Sequence, residues 1–175
     1  MKQAVRILLA DNHDFVRKAV RRLLEVDPDL TVCAEAETPE QVERALQRQH
    51  PDLLILDLVL QQADGLALIR SLKARHAKVP ILALSLHKET MFAELTLQAG
   101  AQGYLMKDDA AHHLVDAVHE IMAGRIYVSE AIRQGIFSRM RADSASRPGT
   151  RGHLPPEWNR YTAPRAAHHA HAIAR

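Results

Sequence analysis

Residues 1–125 predict a doubly wound α/β fold, a parallel sheet with helices on both faces. Three observations carry this. Short β-rich runs alternate with stretches of helical spacing, five of each. The runs are nearly continuous in apolar residues, as in Leu53-Leu54-Ile55-Leu56, which marks strands buried on both sides. Caps and breakers fall between the two kinds of segment.

The strands are Val5–Ala10, Leu30–Ala36, Leu53–Asp57, Ile81–Ser85 and Gly103–Met106. After the first, Phe15, Val16, Ala19, Val20, Leu23 and Leu24 share one helix face. The second helix takes Thr38 as N-cap and Pro39 at its first position, and turns Val42, Ala45 and Leu46 inward. Pro51 and Pro80 each stand after a helix and before a strand. Leu66, Ile69 and Leu72 form the third helical face, and Phe92, Leu95 and Ala99 the fourth. Leu114, Val115, Val118, Ile121 and Met122 form the fifth. Gly100 and Gly124 occupy C-cap positions. A further helix, with Ser129 as N-cap, runs to Met140, so 126–140 reads as a linker helix. Cys33 reads as core of an interior strand.

Composition narrows the function. The chain has 175 residues, 47% apolar but only 4% aromatic, so its core is aliphatic. A single cysteine excludes a disulfide framework and a zinc site of several thiolates. The apolar stretch at the N-terminus stops at Asp11, too short for a signal peptide, and no run approaches the ~20 apolar residues of a membrane span. A soluble, cytoplasmic protein is expected. No G-x-G-x-x-G follows the first strand and no GK[ST] loop occurs, which argues against a nucleotide-dependent enzyme.

The net charge of +2 hides an asymmetry. Residues 1–140 carry 17 Lys/Arg against 19 Asp/Glu, and residues 141–175 carry 6 Arg against 2 acids. The basic sequence pI of about 8.9 therefore describes the tail. That tail holds half of the prolines and shows no apolar periodicity, so 141–175 reads as a disordered basic tail.

In a doubly wound sheet, ligands bind outside the carboxyl ends of the strands. The first strand ends at Asp11-Asn12, the third at Asp57, the fourth at Ser85 and the fifth at Lys107. Two carboxylates, a hydroxyl and an ammonium thus converge on one rim. These types suit phosphoryl transfer. One carboxylate serves as nucleophile, another holds Mg²⁺, and the hydroxyl and ammonium neutralise phosphoryl oxygens.

Asp11, Asp57 in LILDLVL, Ser85 in ILALSLH and Lys107 in GYLMKDD together resemble the receiver domain of two-component response regulators. The run AQGYLMKDDAAHHLVDAVHEIMAGRIYVSE is similar to the NarL/FixJ (LuxR-type) class. The resemblance implies a flavodoxin-like sheet of strand order 2-1-3-4-5. It implies that Asp57 accepts a phosphoryl group from a sensor histidine kinase and that Ser85 and Lys107 bind its oxygens. Asp11, Asn12, Asp57 and the main-chain carbonyl of Val59 would hold Mg²⁺. Tyr104 would change rotamer as Ser85 moves. The face of the fourth helix, fifth strand and fifth helix would carry the output, and a homodimer through it is a further expectation. Such a module is a switch, not an enzyme.

The sequence departs from that pattern in three places. Asn12 replaces the second acid after the first strand, which removes a charge from the metal site. Gln61 stands where the family has Pro, which loosens the loop after Asp57, while Gly65 remains. The resemblance also implies that Val59 and His87, two residues past Asp57 and Ser85, would stand beside the path of an attacking water. Third, a helix-turn-helix needs on the order of 55 residues, and 35 follow Met140. The tail GTRGHLPPEWNRYTAPRAAHHAHAIAR has the composition of a GC-rich gene read out of frame. A frameshifted or truncated output domain is the expectation, with a natural single-domain receiver carrying a disordered basic tail as the alternative, and sequence-specific DNA binding by this chain alone is not expected. Two alternatives remain. One is a degenerate receiver that binds partners without phosphorylation. The other is a transcription regulator whose DNA-binding domain is lost or supplied by a partner.

Overall fold

The computed structural model describes residues 3–60, 63–86, 90–136 and 138. Strands β1 (Val5–Ala10), β2 (Leu30–Ala36), β3 (Leu53–Asp57), β4 (Ile81–Ser85) and β5 (Gly103–Met106) stand where the apolar runs predict them. Between and after them lie α1 (Asp14–Leu24), α2 (Pro39–Gln49), α3 (Gly65–Arg75), α4 (Thr90–Gln98) and α5 (Ala110–Met122). The Thr38 hydroxyl accepts from the Gln41 amide at 3.3 Å, the N-cap expected of α2. Gly100 and Gly124 follow α4 and α5 with φ of 110° and 80°, the left-handed cap geometry.

All strands are parallel and the order is β2-β1-β3-β4-β5-β6. The expected order holds. The expected number is corrected from five to six by β6 (Tyr127–Val128), which pairs with the free edge of β5. A two-residue strand is too short to show a period, and its partner is remote in sequence.

Alternate residues of the strands feed two cores. Ile7, Leu9, Leu53, Ile55, Leu82, Leu84 and Leu105 pack under α1 and α5. Leu8, Ala10, Leu54, Leu56, Ala83 and Tyr104 pack under α2, α3 and α4.

The segment read as a linker helix belongs to the second core. It opens as β6, residues 130–136 are helical, and Ile132 and Ile136 are buried beside Ala93 and Tyr104. Their i, i+4 spacing puts both on the face that needs cover. Ser129 caps this helix, its hydroxyl accepting from the Ile132 amide at 3.4 Å. Gln61, His87, Met140 and the tail 141–175 lie outside the described residues.

Two smaller expectations are corrected. Phe15, placed on the inward face of α1, is 84% exposed, while Arg17 is 5% exposed. Cys33 is half-buried rather than core, because β2 is an edge strand. Burial still pushes its thiol pKa up, against the opposing pull of Arg6.

The first residue of α3 lies in close backbone approach to Leu58, just past β3. A Cβ on Gly65 would come within 2.8 Å of the Leu58 Cα. Asp64 caps α3, its Oδ1 accepting from the amides of Leu66 and Ala67 at 2.9 and 3.2 Å. Gly65→Ala is therefore expected to cost about 1–3 kcal/mol of stability by overpacking. Urea unfolding checks this. A lowered midpoint with unchanged slope is the expected result, and an unchanged midpoint would refute the close approach.

Candidate functional site

The parallel ladder brings the strand ends to one rim. Ala10 pairs with Leu56, and Asp57 pairs with Leu84. Asp11 and Asp57 therefore leave β1 and β3 side by side. Ser85 pairs with Met106, so Lys107 follows directly on the neighbouring strand.

Asp11, Asp57 and Ser85 are 1%, 2% and 0% exposed. Buried carboxylates need compensation. It comes from Lys107, whose Nζ lies 2.6 Å from Asp11 Oδ2 and 3.0 Å from Asp57 Oδ2. The remaining oxygens are also engaged. Asp57 Oδ1 accepts from the Val59 amide at 3.2 Å. Asp11 Oδ1 accepts from the His13 amide at 2.8 Å, with His13 Nδ1 at 3.1 Å.

With both carboxylates ionised, this buried group holds two negative charges against one ammonium. A surplus negative charge in a dry setting favours a cation. Asp11, His13 and Asp57 each offer a ligand atom within 4.8 Å of the others. The carboxylate oxygens suit a hard divalent cation such as Mg²⁺, so the residues fit the metal that the resemblance implies.

The predicted residues divide in two. Asp11, Asp57 and Lys107 form the cluster, with Ser85 at the end of the adjacent strand. Asn12 is exposed in the bend after β1. Val59 points its side chain toward solvent while its amide binds Asp57. Tyr104 is not at the rim. It is fully buried, in register between Ala83 of β4 and Val128 of β6.

The sequence reading missed His13 and Arg17. Arg17 Nη1 donates to the main-chain carbonyl of Asp11 at 2.8 Å. Its spacing from Val20 and Leu24, both buried, was the available signal.

Residues 7–119 match the response regulator receiver domain family. The chain belongs to this family. The receiver is similar to the nitrate/nitrite response regulator protein NarL of Escherichia coli K12, 34% identical over 142 residues, 80% of this chain and 65% of that protein. It is similar to the transcriptional regulatory protein DegU of Brevibacillus brevis, 28% identical over 137 residues, 78% of this chain and 58% of that protein. The chain thus spans about three fifths of the length of these relatives. Among solved structures it resembles a LuxR-family two-component response regulator from Aurantimonas sp. SI85-9A1. The TM-score there is 0.74 at 34% identity, covering 78% of this chain and 98% of that one. The signal receiver domain of a Mycobacterium tuberculosis NarL gives a TM-score of 0.66 at 28% identity, covering 70% of this chain and 99% of that one. The receiver is therefore of the NarL/LuxR kind. Among the described residues, no helix is long and apolar enough to cross a membrane.

Proposed function

We propose that this receiver accepts a phosphoryl group on Asp57 from the phosphohistidine of a sensor histidine kinase in the cytoplasm. The observation that carries this reading is the Lys107 ammonium held between the Asp11 and Asp57 carboxylates at the carboxyl end of the sheet. An Asp57 oxygen attacks phosphorus, the phosphorus–nitrogen bond of the donor breaks, and an acyl phosphate forms. Lys107 then neutralises a phosphoryl oxygen, and the Ser85 hydroxyl donates to another. Asp11, Asp57, the Val59 carbonyl and the Asn12 side-chain oxygen would hold Mg²⁺. When bound, Mg²⁺ supplies positive charge against the phosphoryl oxygens.

The output is a change of surface around α4, β5 and α5, and the chain works as a switch rather than as an enzyme. Residues 127–136 already cover the edge of β5 and lie beside α4. A Cβ on Gly135 would come within 2.5 Å of Thr90 Oγ1. A homodimer through this face would therefore include residues 127–136 in its interface. In this reading Val59, half-exposed beside Asp57, limits water's approach to the acyl phosphate.

Labelling of the full chain by acetyl phosphate, read by intact mass, tests the proposal. Label with Mg²⁺ and none after chelation is the expected result. No label in either condition would favour the second reading, a phosphorylation-independent interaction module. Asn12 is the observation on its side, because an uncharged ligand binds a hard cation less well. For the same reason Asn12→Asp is expected to lower the half-saturating Mg²⁺ concentration for labelling on the order of tenfold. Equal values for the two proteins would count against a metal role at this position.

A further inference from the structure

Arg17 is a buried cation that phosphoryl transfer does not use. It lies on α1, one turn after His13. Its guanidinium reaches groups from three elements. Nη1 donates to the Asp11 carbonyl at 2.8 Å, just past the end of β1. Nε donates to Glu35 Oε2 at 3.0 Å on β2, and Nη2 donates to Glu37 Oε1 at 2.5 Å just beyond that strand. Nη2 also approaches Asp14 Oδ1 at 3.4 Å in the first turn of α1. A planar fork with five donors can hold such a set in fixed directions, which a lysine cannot.

Asp11 is thereby held on every side. Its amide donates to the Ala36 carbonyl at 3.1 Å, its carbonyl accepts from Arg17, and its carboxylate accepts from His13 and Lys107. The charge of Arg17 is spent locally, since three carboxylates face it. Arg21 shares Glu35, with Nη2 at 2.5 Å from Oε1. Burial pushes the Glu35 carboxyl pKa up, but its bonds to Arg21 and Arg17 outweigh this and hold it below the ordinary value. The guanidinium can therefore grip the turn without repelling a divalent cation at Asp11.

We propose that Arg17 is a positioning residue for the phosphoryl-transfer site, fixing the turn after β1 so that the Asp11 carboxylate is preset for the cation. This rests on the reading of Asp57 as phosphoacceptor. Partners that orient a metal-ligating carboxylate commonly carry 10–100-fold of metal affinity. Arg17→Gln in the full chain is expected to raise the half-saturating Mg²⁺ concentration for acetyl phosphate labelling by about 10–100-fold. Its rate at saturating Mg²⁺ should stay near wild type. Arg17→Lys should fall between the two. Glu37→Gln, which removes one exposed partner of the clamp, should shift the Mg²⁺ dependence in the same direction by less. A purely structural role would lower stability without moving the Mg²⁺ midpoint. Direct Mg²⁺ titration of the Asn12 and His13 amide resonances gives a second readout, independent of labelling. Unchanged Mg²⁺ affinity in Arg17→Lys and Glu37→Gln overturns the proposal, whether or not Arg17→Gln folds. Wild type that binds Mg²⁺ but takes no label sinks the phosphoacceptor reading, while the titration still decides the role of Arg17. Wild type that binds no Mg²⁺ overturns both.

Discussion

Asp57→Asn takes no phosphoryl group from acetyl phosphate, while its fold and Mg²⁺-free stability are retained. This is the largest functional effect the site predicts. Deleting the nucleophile removes the atom that forms the new bond, and a loss of at least about a thousandfold is expected. The fold is spared because the change relieves the site. An asparagine oxygen can accept from Lys107 as Asp57 Oδ2 does at 3.0 Å, giving up only the 3.2 Å bond that Oδ1 accepts from the Val59 amide. The Lys107–Asp11 pair at 2.6 Å remains, now as one cation with one anion. Intact mass and urea unfolding on the same sample separate the two effects. Label persisting on Asp57→Asn would mean that another group, Asp11 first among them, is the acceptor.

Lys107→Met is expected to damage both stability and chemistry. Its Nζ compensates two carboxylates that are almost fully buried. Removing one partner of a buried ionic set commonly costs about 3–5 kcal/mol, because the remaining charge stays unpaired. Here two like charges would also face each other. The same vacancy should strengthen cation binding. Mg²⁺ at a hundred times its Kd adds about 2.7 kcal/mol, so most of the lost stability should return when Mg²⁺ replaces chelator. Labelling should not recover with it. The phosphoryl oxygens lack the ammonium, and loss of one such donor costs about 10²–10³-fold. Urea unfolding with chelator and with Mg²⁺, beside labelling rates, reads both halves. Full recovery of the rate by Mg²⁺ would show that Lys107 serves the fold alone.

Much of the site was legible because each rim residue ends a strand buried on both faces. Such strands are easy to bound, and their last residue is then a polar one at a known edge of the sheet. Asp11, Asp57, Ser85 and Lys107 were found in that way. The caps at Thr38 and Ser129 were legible for a similarly local reason. What stayed hidden depends on partners remote in sequence. Arg17 lies on the buried stripe of α1, and the glutamates that compensate it stand 18 and 20 residues further on. Phe15 shares the apolar spacing of α1, yet it is exposed in the first turn of that helix. Cys33 depends on which strand is the edge, a matter of topology rather than of local pattern. Tyr127 and Val128 form a strand only because β5 offers an open edge. Their pairing draws Ile132 and Ile136 into the core and turns an expected linker into part of the domain.

The most direct test of the account is to locate the phosphoryl group. The full chain is labelled with acetyl phosphate and Mg²⁺, reduced with borohydride, which converts an aspartyl phosphate to homoserine, and mapped by peptide mass. The account predicts homoserine in place of Asp57 alone, and none when Mg²⁺ is chelated. Homoserine at Asp11, or an unmodified peptide under both conditions, would contradict it.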